Sequence, residues 1–216
     1  MKSGAVIIPA RYDSTRLPGK PLKQIVGKFM IQHVFEKCEL AVGAKNVFVA
    51  TDSELIFDEV ERFGGQAVMT SPTALTGTDR IAEATELLDL DFAINVQGDE
   101  PMIRPNDVKQ VYEQMEEKGD LVINCYCDIR EEERQKASVP KVVVSQSGKL
   151  LYMSRGGVPF DKNGDMHAKY KQVCIYGFSK DHLRKFASRK GKSENEFYED
   201  IEILRFLEMD IGVQML

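Results

Sequence analysis

Along the first 120 residues, short continuous apolar runs alternate with longer stretches whose apolar positions recur at helical spacing. Ala5-Val6-Ile7-Ile8 is a compact apolar block and reads as a buried strand, while Met30 to Ala41 reads as an amphipathic helix. The same pair recurs three times. Asn46-Val47-Phe48-Val49-Ala50 is followed by a helical stretch from about Ser53 to Phe63. Gln66-Ala67-Val68-Met69 precedes a helix over Asp79 to Leu88, and Phe92-Ala93-Ile94-Asn95-Val96 precedes one over Asn106 to Glu117. Strands that are apolar throughout must be covered on both faces. The repeated unit therefore predicts an α/β fold with a mostly parallel central sheet and helices on both faces.

Beyond Asp120 the texture changes. Leu121 to Cys127 reads as another strand, and the charged stretch Arg130 to Lys136 as a solvated segment. Lys141 to Ser145 and Leu150 to Ser154 alternate around Gln146-Ser147-Gly148, which predicts a β-hairpin. Pro159 to Tyr170 is polar and reads as a loop, and Gln172 to Phe178 as a strand. Two helices are expected near Lys180 to Ser188 and Glu196 to Met209. Val213 to Leu216 reads as a strand that ends just after it begins. The expected organisation is a single domain over residues 1–216, in which about 141–178 form a β-rich subregion.

Composition narrows the function classes. A net charge of −5 argues against a nucleic-acid partner held by a basic surface. No membrane span is present, and the first apolar run is too short for a signal peptide and reaches Pro9 at once. Cys38, Cys125, Cys127 and Cys174 lack the clustering of a zinc site. Cys125 and Cys127 sit two apart on a strand and face one side, so the thiols read as reduced small hydrophobes and point to the cytoplasm.

In an open parallel sheet, ligands bind beyond the carboxyl ends of the strands. Thr51-Asp52 and Thr70-Ser71, at the second and third ends, read as ordinary caps of the turns that follow. The first end delivers Pro9 to Pro21, with Arg11, Arg16 and Lys20 inside an acidic protein, together with Ser14 and a Pro18-Gly19 turn. A loop of cations and backbone N–H groups directly after a strand suits a polyphosphate, with Arg11 and Lys20 as leading contacts. It is not a Walker loop, because the glycine spacing and the Lys-Ser/Thr ending are absent. The fourth end delivers Gln97-Gly98-Asp99-Glu100-Pro101. A carboxylate here either caps the next turn or ligates magnesium; beside a polyphosphate loop the second reading is favoured, with Asp99 as the metal ligand. Gly98 is expected to let the backbone approach a ligand closely.

Ile8 to Leu22, Ala50-Thr51-Asp52, Thr76-Gly77-Thr78-Asp79-Arg80 and Asn95 to Met102 together resemble the motif series of the 3-deoxy-manno-octulosonate cytidylyltransferases. The resemblance runs through essentially the whole chain. It implies a Rossmann-like nucleotidyltransferase fold and transfer of CMP from CTP to the anomeric hydroxyl of the acidic sugar 3-deoxy-manno-octulosonate (KDO), with Mg2+ as cofactor. The pathway implied is that of lipopolysaccharide or capsule. It implies nucleotide contacts from Pro9, Ala10, Arg11, Ser14, Lys20, Thr76, Gly77, Thr78, Arg80 and Gln97, with Arg11, Lys20 and Asp99 as the catalytic set. Tyr152-Met153-Ser154-Arg155 is similar to the family's Tyr-Phe-Ser-Arg segment, whose arginine meets the sugar carboxylate. Gln97, Gln172, Tyr176 and Glu202 complete the implied sugar set. The β-hairpin and strand region at 141–178 is where the family forms homodimers.

Three departures bear on these expectations. Gln172 stands where the family has histidine, and Ile203 where it has glutamine. The family's segment beyond this point, with an aspartate that completes the metal site, would follow Leu216. Two other readings therefore stand beside the first: activation of a different acidic sugar (an 8-amino-octulosonate or a nonulosonate), and a non-catalytic nucleotide-binding protein.

Overall fold

The computed structural model describes residues 2–13 and 17–216, which form two compact units. The first holds the chain up to Leu121 together with Ile175–Ser188; the second holds Val122–Cys174 and Arg189–Leu216. In chain order the first unit contains strand β1 (Gly4–Ala10), the short strands β2 (Gln24–Ile25) and β3 (Lys28–Phe29), helix α1 (Met30–Val42), β4 (Val47–Thr51) and α2 (Glu54–Arg62). It continues with β5 (Ala67–Met69), α3 (Gly77–Leu87), β6 (Phe92–Val96) and α4 (Pro105–Lys118). The second unit follows with β7 (Val122–Asp128), β8 (Lys141–Val144) and β9 (Leu150–Ser154). Strand β10 (Tyr170–Ser179) begins there and ends in the first unit, which also takes α5 (Lys180–Ser188). Helices α6 (Glu194–Glu199) and α7 (Leu204–Leu207) and strand β11 (Val213–Met215) return to the second unit.

The first unit has the α/β build that the apolar periodicity predicts. Strand β1, buried along its whole length, lies parallel to β4 on one side and to β6 on the other, and β4 carries β5 in parallel. The second half of β10 closes β6 in the antiparallel sense, pairing Tyr176 with Asn95 and Phe178 with Ala93. Ile7, Ile8 and Ile94 are fully buried, each contributing about 1.5–3 kcal/mol of apolar burial. The two faces are covered separately. Phe92 meets Tyr112 of α4 edge to face at 5.2 Å, and Gly177, paired with Ile94, lies against Met115 of that helix. Ala93 and Asn95 point to the opposite face by the alternation of a strand.

One element escaped the sequence reading. β2 and β3 form a hairpin around Val26 and Gly27, both at positive φ (48° and 82°), the geometry of a type I′ turn. Two-residue strands are too short to show a period, and a β-branched valine is a poor marker for a left-handed turn position.

In the second unit the predicted hairpin is present. β8 and β9 pair antiparallel from Lys141↔Ser154 to Val144↔Leu150, with Gly148 at φ 76° in the turn, and the start of β10 joins β8 through Tyr170↔Val142. β11 pairs parallel with β7. The unit is thus broader than the expected 141–178 subregion, since it also includes β7, β11 and the last two helices. The single helix expected over Glu196 to Met209 is two short ones. Asp200 adopts φ 49°, ψ 49° and ends α6, while the fully buried Glu196 and Arg205 pair through two bonds of 2.6 Å. Truncating one member of such a pair costs about 3–5 kcal/mol.

The cysteines are thiols rather than disulfides, and burial pushes the Cys38 thiol up, as suits a small hydrophobe on α1. The charged stretch expected to be solvated is only partly so. Glu133, 6% exposed, accepts from the Arg130 guanidinium at 2.8 Å and from Lys171 at 2.6 Å. Those bonds, Arg130 first and then Lys171, hold its carboxyl well below the usual carboxylate range. A carboxyl depressed in the folded state stabilises above its unfolded pKa of about 4.3 and loses that contribution as pH falls. Glu133→Gln should therefore melt below the parent at neutral pH, and the gap should close in thermal melts as the pH is taken below about 4. A gap of constant size across that range would remove Glu133 from the acid response.

Candidate active site

The site is built at the carboxyl ends of the parallel strands of the first unit. β1 ends at Ala10, and Arg11 stands exposed immediately beyond it. The loop that follows is folded back by Gly19, whose N–H donates to the Tyr12 carbonyl at 2.8 Å. Gly19 sits at φ 65°, a left-handed turn position that favours glycine, and a Cβ there would lie 3.2 Å from the Tyr12 ring. A 3-10 turn over Lys20–Leu22 starts from this glycine and fixes Lys20. Pro9 and Ala10, expected at the nucleotide, are buried in β1 and paired with Ala50 and Thr51; what they offer a ligand is backbone rather than side chain. Ser14 lies outside the described residues.

At the end of β6, Gln97 is half-buried and its carbonyl accepts from the Glu100 N–H at 3.2 Å, closing a turn that projects Asp99 outward. Gly98 was expected to make room for a ligand. The structure shows instead that it makes room for β1: a Cβ would lie 3.0 Å from the Pro9 carbonyl and 3.3 Å from Ile31. The two strand tips are thereby drawn together. Lys20 Nζ reaches Asp99 Oδ2 at 2.5 Å, with the two side chains 36% and 48% exposed. Cation and carboxylate, separate in the sequence, meet at one rim.

The ends of β4 and β5 do more than cap. The Thr51 hydroxyl does accept from the Ser53 N–H, as a local cap would. Asp52 and Thr70, however, hold the Arg80 guanidinium at 2.8 and 2.5 Å. Arg80, expected at the nucleotide, is only 4% exposed; it braces α3 against the two strand ends. Thr76 caps α3, accepting from the Asp79 N–H and donating to its carboxylate at 2.8 Å, with Gly77 opening the helix and Thr78 buried behind it. This segment therefore shapes the loop after β5. Tyr176, on β10, is 9% exposed and stacks on Phe178 at 5.9 Å.

The other sugar candidates belong to the second unit. The Arg155 guanidinium donates to three backbone carbonyls, of Glu199, Asp200 and Ala137. Gln172 donates to Asn124 at 3.1 Å, and the Asn124 amide to the Val173 carbonyl at 3.0 Å. Glu202 is half-buried in the turn before α7, not on a helix, and its carbonyl accepts from the Arg205 N–H. Ile203 is 1% exposed; an apolar residue is suited to that core position. Lys141, also buried, donates to the carbonyls of Lys136 and Arg155, and burial pushes its ammonium below the usual lysine range while Glu199 pulls it back.

Comparison with known proteins decides the family. A sequence profile of the cytidylyltransferases matches residues 5–212. The chain belongs to the cytidylyltransferase family. It is 40% identical over 215 residues to the 3-deoxy-manno-octulosonate cytidylyltransferase of Escherichia coli, which covers 99% of this chain and 87% of that one. It is 41% identical over 210 residues to the 8-amino-3,8-dideoxy-manno-octulosonate cytidylyltransferase of Shewanella putrefaciens, covering 94% and 85% of the two chains. Among solved structures, a CMP:2-keto-3-deoxy-manno-octonic acid synthetase complexed with CTP superposes with a TM-score of 0.90 at 40% identity, over 99% of this chain and 89% of that one. A cytidylyltransferase from Leptospira borgpetersenii serovar Hardjo-bovis, at 16% identity and a TM-score of 0.65, shares the fold. The motif resemblance read from the sequence is borne out, as is the α/β class.

For a cytidylyltransferase, the rim of the first unit offers matched tools. Arg11 and Lys20 are N–H donors beyond the end of β1, and the Asp99 carboxylate lies against Lys20. Gly98→Ala tests whether the tips must stay close. Its Cβ should force β6 from β1 and cost about 1–3 kcal/mol in denaturant unfolding, with weakened CTP binding. A variant as stable and as tight for CTP as the parent would show the approach to be dispensable.

Proposed function

We propose that this cytidylyltransferase joins CMP to the acidic sugar KDO. The single observation that carries the reading is the contact of Lys20 with Asp99 at the ends of β1 and β6. Its support in sequence is 40% identity to the E. coli enzyme of that name across 99% of the chain.

In this reading Arg11 and Lys20 bind the triphosphate of CTP and align it at the rim. The anomeric hydroxyl of the sugar attacks the α-phosphorus. A new oxygen–phosphorus bond forms, the bond to the bridging oxygen of the β-phosphate breaks, and pyrophosphate leaves with the negative charge. The hydroxyl proton passes to solvent. Alignment and neutralisation of charge supply the acceleration, with no covalent intermediate on the protein. Lys20, once released from Asp99, steadies the leaving group. Asp99 would hold magnesium, which when bound neutralises phosphate oxygens and lowers the pKa of the attacking hydroxyl. The fit is that of an ion taking one or two protein carboxylates and its remaining ligands from phosphate and water.

Arg155 receives the sugar carboxylate, a planar group suited to a guanidinium fork, with Gln172 and Glu202 of the same unit serving the hydroxyls. We place the enzyme in the cytoplasm, where CTP is available; among the described residues no helix is long and apolar enough to cross a membrane. We also propose a homodimer through the 141–178 region, supported by the exposed Leu151 and Phe160 there. Sedimentation showing only monomer at micromolar concentration would refute it.

A second sugar is favoured by one specific observation: the Shewanella relatives, named for the 8-amino sugar, are as similar as the E. coli one. Pyrophosphate release with CTP and magnesium, measured across KDO, its 8-amino analogue and a nonulosonate, separates the readings. KDO should give the highest kcat/KM, and Asp99→Ala should lower kcat by at least about 100-fold while leaving the fold intact. Preference for the 8-amino sugar would reassign the substrate. Binding of CTP with no release from any sugar would make the chain a nucleotide-binding protein.

A further inference from the structure

The environment of Arg155 contains a group that the reaction as described does not use. Glu199, at the end of α6, receives the Ser154 hydroxyl on one carboxylate oxygen at 2.6 Å and the Arg155 N–H on the other at 2.8 Å. The same residue's carbonyl takes the Arg155 Nε–H at 2.5 Å, and the next carbonyl, of Asp200, takes Nη2 at 3.0 Å. Two successive carbonyls face one guanidinium beside Asp200, a non-glycine residue at φ 49°, ψ 49°, whose side chain is tethered by Lys192 at 2.6 Å. Nη1 donates to Ala137 at 3.2 Å, and the Arg155 carbonyl is held by the buried Lys141. The Arg155 backbone is therefore fixed at its N–H and its C=O, and its guanidinium by three bonds.

A guanidinium has five N–H groups. Three are committed among the described residues, one on each nitrogen. The remaining two sit one on each terminal nitrogen, the number that a bidentate carboxylate takes. Both carboxylate oxygens of Glu199 are engaged by donors of the protein itself. This residue locks the segment from which Arg155 extends, so that the remaining pair is presented in a single orientation.

We propose that Glu199 is a positioning residue for recognition of the sugar carboxylate, acting through Ser154 and Arg155. The inference rests on the reading of Arg155 as the carboxylate ligand. It makes a prediction whose sign distinguishes positioning from charge. Removing a negative charge near an anionic substrate would, by electrostatics alone, tighten binding. Loss of positioning weakens it.

The test is steady-state pyrophosphate release by the full chain, with sugar and CTP varied separately, for Glu199→Gln, Ser154→Ala and Arg155→Lys. Glu199→Gln should raise KM for the sugar about five- to tenfold, the equivalent of one hydrogen bond, with kcat and KM for CTP within about twofold. Ser154→Ala, which removes one of the two donors facing the carboxylate, should move the same parameter in the same direction, and it carries the test if the glutamine variant does not fold. An unchanged or lowered sugar KM in both variants, with a raised KM in Arg155→Lys, overturns the positioning role and leaves the ligand role of Arg155 standing. An unchanged sugar KM in Arg155→Lys overturns the ligand role, and the inference with it.

Discussion

A single ion pair joins the strand ends on which the proposed function rests. Lys20 and Asp99, 79 residues apart in sequence, meet because β1 and β6 are adjacent parallel strands and their tips are drawn close. Two glycines make that approach possible: Gly19 turns the loop after β1 back through a left-handed conformation, and Gly98 lets the tip of β6 lie on the Pro9 carbonyl. An exposed pair of this kind is worth only about 0.2–1 kcal/mol. It is therefore easily exchanged for stronger partners, the ammonium turning to a phosphate and the carboxylate to a cation. On the proposed function, each charge serves as the placeholder for the other's eventual partner in the absence of ligand.

The periodic parts of the fold were legible in the sequence for a physical reason. Continuous apolar strands such as Ala5 to Ile8 and helices such as Met30 to Ala41 carry their burial in their spacing, and the parallel sheet follows from their alternation. The hairpin of Gln24 to Phe29 and the break at Asp200 carry no such signal. Each turns on a non-glycine residue at positive φ, Val26 in the hairpin and Asp200 at the break. The charged run at Arg130 to Lys136 misled in the opposite way, because its reading as solvated could not include Lys171, a partner supplied by a distant strand.

The site shows the same division. Arg11, Lys20 and Asp99 were singled out by their position at strand ends, a rule that follows from the topology, and the structure brings Lys20 and Asp99 into contact. Arg80 was found by motif, but its burial between Asp52 and Thr70 was hidden, since those two residues resembled ordinary caps. Glu199 had no legible signal: Tyr198-Glu199-Asp200 resembles any charged helix end until the fold brings it to Arg155. The residues that hold functional groups in place are thus harder to read than the functional groups, because their role lies entirely in long-range contacts. In the second unit this framework extends to the buried Glu196–Arg205 pair, which ties α6 to α7.

The central claim, that Lys20 and Asp99 serve one bound triphosphate, is most directly tested by a double-mutant cycle on kcat/KM for CTP. Lys20→Met, Asp99→Asn and the double variant would be compared with the parent under the same magnesium concentration. Groups that act as one unit should be strongly non-additive, with a coupling of at least about 1 kcal/mol and a double variant little worse than the poorer single one. Losses that simply multiply would mean that the two side chains work independently, and the shared rim would then be a meeting of neighbours without common chemistry.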